Sequence, residues 1–122
     1  MAKKVYPNDL PYPFSAAVRT GNLLFVSGQV GRRGDKVGDG IEEQTRLTLE
    51  NLKDVLAQAG CSLQDVVKVT VFLTRMSLWP KMNEVYQEYF PTEPPARSAL
   101  GVNGLALPPL LIEMECVAEV RD

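Results

Sequence analysis

Apolar residues recur at helical spacing in two stretches of the chain and at alternate positions in several others. This pattern sets the expected elements. Over 41–59, Leu49, Leu52, Leu56 and Ala59 fall on one face, with Ile41 and Val55 close to it. The opposite face carries Glu42, Glu43, Arg46, Glu50, Lys53 and Asp54 and is expected to be solvated. Asp39 can cap this helix, with Glu42 completing a capping box and Gly60 as the stop. A second amphipathic helix is expected over 77–90. It turns Leu78, Met82, Val85, Tyr86, Tyr89 and Phe90 inward and carries Pro80 in its first turn.

The alternating stretches predict strands. "SAAVRTGNLLFVSG" (15–28) suggests two short strands around Thr20-Gly21-Asn22. "DVVKVTVFLT" (65–74) is β-branched, with Val67, Val69, Val71 and Leu73 on one face and Val66, Lys68, Thr70 and Phe72 on the other. Further strands are expected at about 96–102 and over 110–120. In the last, Ile112, Met114, Cys116, Ala118 and Val120 alternate with Leu111, Glu113, Glu115, Val117 and Glu119. Residues 1–13, with Pro7, Pro11 and Pro13, predict an extended arm, and 28–40, with five glycines, a mobile surface loop. That loop lacks the Gly-Lys-Ser/Thr of a phosphate cradle and the third glycine of a dinucleotide fingerprint. The order is ββαβαββ, an α/β (α+β) single domain over 1–122 with a mixed sheet and two helices on one face. The segment from strand 24–27 through helix 41–59 to strand 66–73 is expected to form a right-handed crossover.

Two helices cover one face of such a sheet. Strand 66–73 and the Leu110–Leu111 region look apolar on the other face as well, which predicts an obligate homo-oligomer.

Composition narrows the chemistry. The chain has 122 residues, 45% hydrophobic and 23% charged, enough for one soluble domain with a real core. A net charge of −2 argues against a nucleic-acid surface. No apolar run approaches a membrane span, and "MAKKVYPNDL" has no apolar core of a signal peptide, so the expected compartment is the cytosol. Cys61 and Cys116 form no CxxC pair and are expected to be reduced, buried thiols. There is no histidine, which excludes histidine-based triads and removes the commonest zinc and copper ligand. Acid–base work must fall to Glu, Asp, Lys, Tyr, backbone groups or water.

One residue stands out against this background. In "PPARSALG" (94–101), Arg97 is the lone charge between Pro94 and Ile112. On a strand it points with Ala99 and Gly101, small residues that leave room beside the guanidinium. If the last two strands pair around a turn near Leu105, position 97 falls opposite 113. Two readings remain open: a plain cross-strand Arg97–Glu113 ion pair, or an arginine fork gripping a ligand carboxylate while Glu113 handles a water. A partly desolvated glutamate is pushed up in pKa and can shuttle protons near neutrality.

"PPARSALGVNGLALPPLLIEME" closely resembles the C-terminal signature of the RidA family, also called YjgF or reactive intermediate deaminase. "GNLLFVSGQV" (21–30), "IEEQTRLTLENLKDVLAQAGCSLQDVVKVTVFLT" (41–74) and "MNEVYQEYFPTEPPARS" (82–98) resemble other parts of it, so the likeness spans roughly 11–121. The resemblance implies a chorismate-mutase-like fold, a homotrimer with ligand clefts between subunits, and hydrolysis of 2-imino acids and their enamine tautomers, such as 2-aminoacrylate, to 2-oxo acids and ammonia. It implies no cofactor or metal, and no nucleic-acid or membrane partner is expected. Carried over by position, it makes Arg97 the carboxylate-binding residue and Glu113 the water-associated glutamate. Asn83, Ser27, Gly28 and Ala99 would complete the substrate contacts.

The chain departs from the family pattern at Phe14, where many members have tyrosine, and at Ala99, where some have cysteine. It also departs at Asn103, and at Ala106, where the family has a proline. Phe14 loses a hydroxyl that could meet the ligand. Three alternatives stand beside general imine deamination: with Phe14, a non-catalytic binder of small carboxylates; by kinship, an endoribonuclease or translation inhibitor as attributed to some members; and a pathway-specific deaminase.

Overall fold

The computed structural model describes residues 2–121; Met1, at the start of the expected arm, and Asp122, at the end of the expected domain, lie outside them. In chain order the elements are β1 (Lys4–Tyr6), β2 (Ala17–Thr20), β3 (Leu23–Val30), β4 (Arg32–Arg33), β5 (Lys36–Val37), α1 (Gly40–Gln58), β6 (Val66–Leu73), α2 (Trp79–Tyr89), β7 (Ala96–Gly101) and β8 (Ile112–Glu119). Six strands form one sheet in the order β1-β2-β3-β8-β6-β7, and β4 pairs with β5 as a separate hairpin. Only β6 and β7 run parallel; the other sheet neighbours are antiparallel.

The strictly alternating strand β8 takes the central place. Ile112, Met114, Cys116 and Ala118 are all buried. They meet Leu24, Val26, Val69, Val71 and Leu73 from its neighbours in one core, closed by α1 and α2 on the same face. Because β3 and β6 both run antiparallel to β8, they are parallel to each other, and α1 connects them across the buried face. The thiols of Cys61 and Cys116 are free and buried. No helix among the described residues is long and apolar enough to cross a membrane.

Several local expectations are corrected. The arm contributes a strand, β1, paired with β2. The glycine-rich stretch is not a mobile loop: β3 runs on to Val30, and the β4–β5 hairpin packs against α1. Its Gly31 is required by contact, since an added Cβ would overlap the Gln44 side chain. Helix α1 starts at Gly40, and the Asp39 side chain makes no cap bond; instead Glu43 accepts from the Asp39 backbone N–H at 2.9 Å, so Glu43 and not Glu42 reaches back. In β6 the register shifts between Val66 and Lys68. Val66 therefore points inward with Val69, while Val67 is turned out at 47% exposure. Leu110, just before β8, is already buried within the single chain.

The buried face of α1 also holds Gln44, Thr45 and Thr48, which an apolar pattern does not reveal. Thr45 and Thr48 donate to carbonyls one turn back. Gln44 does more. Its amide nitrogen donates to the carbonyls of Gly38 and Pro109 at 3.1 and 2.9 Å, and its oxygen accepts from the Leu111 N–H at 2.8 Å. One side chain thus ties both the hairpin and the entry to β8 onto α1. Gln44→Met keeps the volume but strips three backbone groups of their partner. It is expected to cost about 2–4 kcal/mol, read as a lower urea midpoint.

The second face of the sheet carries exposed Leu23, Phe25, Val67 and Leu100. Phe72 and Val117 are half-buried there beside Lys68, Thr70, Glu113 and Glu115.

Candidate functional site

Arg97 sits near the start of β7, the edge strand, and pairs in register with Val69, which pairs in turn with Cys116. Paired residues share a face, so Arg97 lies on the helix-covered side. There α2 presents Trp79, Asn83 and Tyr86, one helical turn apart in succession. Arg97 Nη1 donates to Asn83 Oδ1 at 2.6 Å. The guanidinium carbon lies 4.7 Å from the Tyr86 ring centroid and 5.8 Å from that of Trp79, within cation–π range. Among the described residues no carboxylate lies within ion-pairing distance of Arg97. The one acidic residue lining its cleft, Glu88, is engaged by Arg46 in a two-pronged pair at 2.8 and 3.0 Å.

The cleft has a volume of about 770 Å³ and is lined by Arg97 and Asn83 together with Trp79, Gln87, Phe90, Pro91, Pro94 and Pro95. Burial pushes the Tyr86 phenol up to about 12, against the opposing pull of Arg97. It therefore stays neutral, and its buried hydroxyl has no hydrogen-bond partner among the described residues. Ala99 follows Arg97 on the same face. Gly101 does not add free space: a Cβ there would meet Met76 Cγ at 3.3 Å.

Glu113 is elsewhere. It pairs with Val30 on one side and Phe72 on the other, and so faces the second side of the sheet. The expected 97-opposite-113 register is overturned, because β6 lies between β7 and β8. With it goes the plain ion-pair reading of Arg97. The β7 strand follows a crossover helix and docks parallel to β6, which leaves the sequence-adjacent β8 to pair on β6's other side.

Glu113 instead meets Gly28. The β3–β8 register shifts between Val26 and Gln29, so Ser27 and Gly28 form an irregular step opposite Glu115, with one pair between it and Glu113. Ser27 Oγ donates to the Ser15 carbonyl at 2.6 Å. A Cβ at Gly28 would overlap Glu113 Oε2, so only glycine lets the carboxyl rest against this backbone. Burial raises the Glu113 pKa, and the negative charge of Glu115 adds to the rise. Phe14 is 49% exposed and lines a second cleft of about 640 Å³ together with Gly28 and Ala16. One chain therefore holds the expected residues in two separate places: Arg97, Asn83 and Ala99 on the helix side, and Glu113, Ser27 and Gly28 at or next to the bulge, with Phe14 lining a cleft beside Gly28.

Residues 8–120 match the family model described as Endoribonuclease L-PSP. The chain belongs to this family, the RidA/YjgF proteins. Among its curated relatives is a RutC family protein of Pyrococcus abyssi, 48% identical over 109 residues, covering 87% of this chain and 85% of that protein. Another is the chloroplastic Reactive Intermediate Deaminase A of Arabidopsis thaliana, 38% identical over 109 residues, 87% of this chain and 58% of that protein. A crystal structure of a Rid-family protein of unknown function from Yersinia pestis superposes with a TM-score of 0.89 at 37% identity, covering 98% of this chain and 100% of that one. The single-domain α+β architecture, a mixed sheet with two helices, is that of the RidA/YjgF structures.

Sequence reasoning in this RidA/YjgF chain missed Trp79 and Tyr86 as neighbours of Arg97. Their signal was the 79/83/86 spacing, which puts both rings on the helix face that carries Asn83.

Proposed function

We propose that the protein hydrolyses reactive 2-imino acids and their enamine tautomers to 2-oxo acids and ammonia, as a chorismate-mutase-like homotrimer. The observation that carries this reading is Arg97: a permanent cation held by Asn83 and Tyr86 at a cleft, with no carboxylate partner among the described residues. Such a group is a receptor for a ligand carboxylate.

Arg97 anchors the carboxylate and orients the C=N carbon. Glu113 accepts a proton from water as its oxygen adds to that carbon and returns it to the nitrogen, giving the carbinolamine. The hydroxyl proton then passes by way of Glu113 to the amino group, the C–N bond breaks, and ammonia and the 2-oxo acid leave with Glu113 again a carboxylate. The imine carbon is already electrophilic, so positioning is the main demand on the site. Arg97 and Glu113 face opposite sides of one chain's sheet. A cleft holding both therefore draws them from two copies, and the exposed apolar second face supports such an assembly. Asn83, Ala99, Ser27 and Gly28 supply the remaining contacts, and Phe14 supplies an apolar wall without a hydroxyl.

The test is release of 2-oxo acid from freshly generated 2-aminoacrylate and several amino-acid-derived imines. Accelerated release is expected. No acceleration, beside calorimetric binding of 2-oxobutyrate, selects the non-catalytic carboxylate binder instead. Ribonuclease action finds less support, since the chain has no histidine and a net charge of −2. Gly28→Ala is expected to lower turnover at least about tenfold by displacing the Glu113 carboxyl, with the sedimentation profile unchanged. Wild-type turnover in this variant would remove Glu113's position from the mechanism.

A further inference from the structure

The chemistry of the Arg97 cleft is lopsided. Arg97, Asn83 and Gln87 line it with polar groups, and Trp79, Phe90, Pro94 and Pro95 with apolar ones. The one acidic wall residue, Glu88, is already bound by Arg46. The cleft's volume, about 770 Å³, lies in the range of sites for ligands far larger than a three-carbon acid, roughly 300–1,000 Å³. Its apolar lining is stiff: proline rings have fixed backbone angles, and an aromatic side chain has few rotamers to lose. Trp79 remains 40% exposed, with apolar surface to cover.

We propose that this cleft selects 2-imino acids with bulky apolar side chains, aromatic or branched aliphatic, and that Trp79 determines this specificity. The carboxylate sits on Arg97, and the side chain lies along Trp79 and the prolines. This inference rests on the deaminase reading for its reaction but not for its recognition. A small substrate would use the arginine alone and leave the apolar wall wet. A large apolar one removes both surfaces from water, a gain of about 10- to 100-fold in affinity.

The experiment measures calorimetric affinity of the intact protein for phenylpyruvate and for pyruvate, alongside kcat/KM for imines generated from phenylalanine, leucine and alanine. Phenylpyruvate is expected to bind about 10- to 100-fold more tightly. Trp79→Ala should cut that ratio to below about threefold, with phenylpyruvate losing more affinity than pyruvate. Trp79→Leu, which keeps apolar bulk, should restore part of it, and a thermal melt of each variant checks folding. Equal binding of the two acids, or a ratio unmoved in folded Trp79→Ala, overturns the inference. Selective binding with no imine hydrolysed upholds the cleft's specificity and overturns the deaminase reading. Hydrolysis of the alanine imine with no preference for the larger ones does the reverse.

Discussion

Replacing Arg97 with alanine is expected to reduce imine hydrolysis by about a hundredfold to ten-thousandfold. Two charge-assisted hydrogen bonds to a carboxylate contribute about 3–6 kcal/mol together, and the substrate's anchor and orientation are lost with them. Stability should change little, because among the described residues Arg97 has no ion pair and its one side-chain hydrogen bond is to Asn83. The assembly should sediment as the parent does. Arg97→Lys keeps the charge but not the planar fork, and should fall between the two. The measurement is 2-oxo acid release under single-turnover conditions. Unchanged release in folded Arg97→Ala would falsify the anchoring role.

Glu113→Gln carries the second large effect. A general base contributes about 10²–10⁴ in rate, so turnover should fall by that order. The pH dependence gives a sharper readout. Burial, reinforced by Glu115, raises the Glu113 pKa, so the base form appears only above the ordinary carboxylate range. Wild-type kcat/KM should rise with pH through that raised value, and the variant should lose this acid limb. The stability effect has the opposite sign. A glutamate whose folded pKa is raised binds its proton more tightly when folded. Its contribution is full below the unfolded pKa and is lost as pH rises through the folded one. At neutral pH Glu113 is therefore a net liability to the fold, and Glu113→Gln should melt no lower than the parent, and higher above pH 7. A variant that keeps the acid limb assigns it to another group.

A residue that impairs stability yet is held against a glycine fits a site better than a core. The same logic separates Gln44, whose loss should destabilise the protein, from Glu113, whose loss should only silence it. The two residues differ in their partners. Gln44 satisfies three backbone groups, whereas Glu113 rests against Gly28.

Much of the fold was legible because it rests on periodicity. The two helices, the alternation of Ile112, Met114, Cys116 and Ala118, and the inward set on α2 follow from 3.6- and 2-residue repeats, which local backbone geometry imposes. What escaped depends on contacts distant in sequence. The β6 bulge turned Val67 outward, a slip that no alternation pattern announces. The glycines at 28–40 suggested mobility, but Gly31 is there for the close approach of Gln44. Gln44 itself looked like one more polar helix residue, because its three partners lie at 38, 109 and 111.

The sequence by itself determined the two helices and the strands β2, β3, β6, β7 and β8 in their order, the family, the absence of histidine chemistry and the candidacy of Arg97 and Glu113. Each of these is a property of residue types and short spacings. The tertiary structure alone decided that the two residues do not meet within one chain. A crossover through α2 docks β7 parallel on β6, and β8 then inserts between β3 and β6. Strand order in a sheet is a matter of long-range pairing, so neighbours in sequence became next-nearest neighbours in space, on opposite faces. The same docking brought Trp79, Asn83 and Tyr86 of α2 over Arg97, and turned a lone cation in an apolar stretch into the polar end of an aromatic cleft.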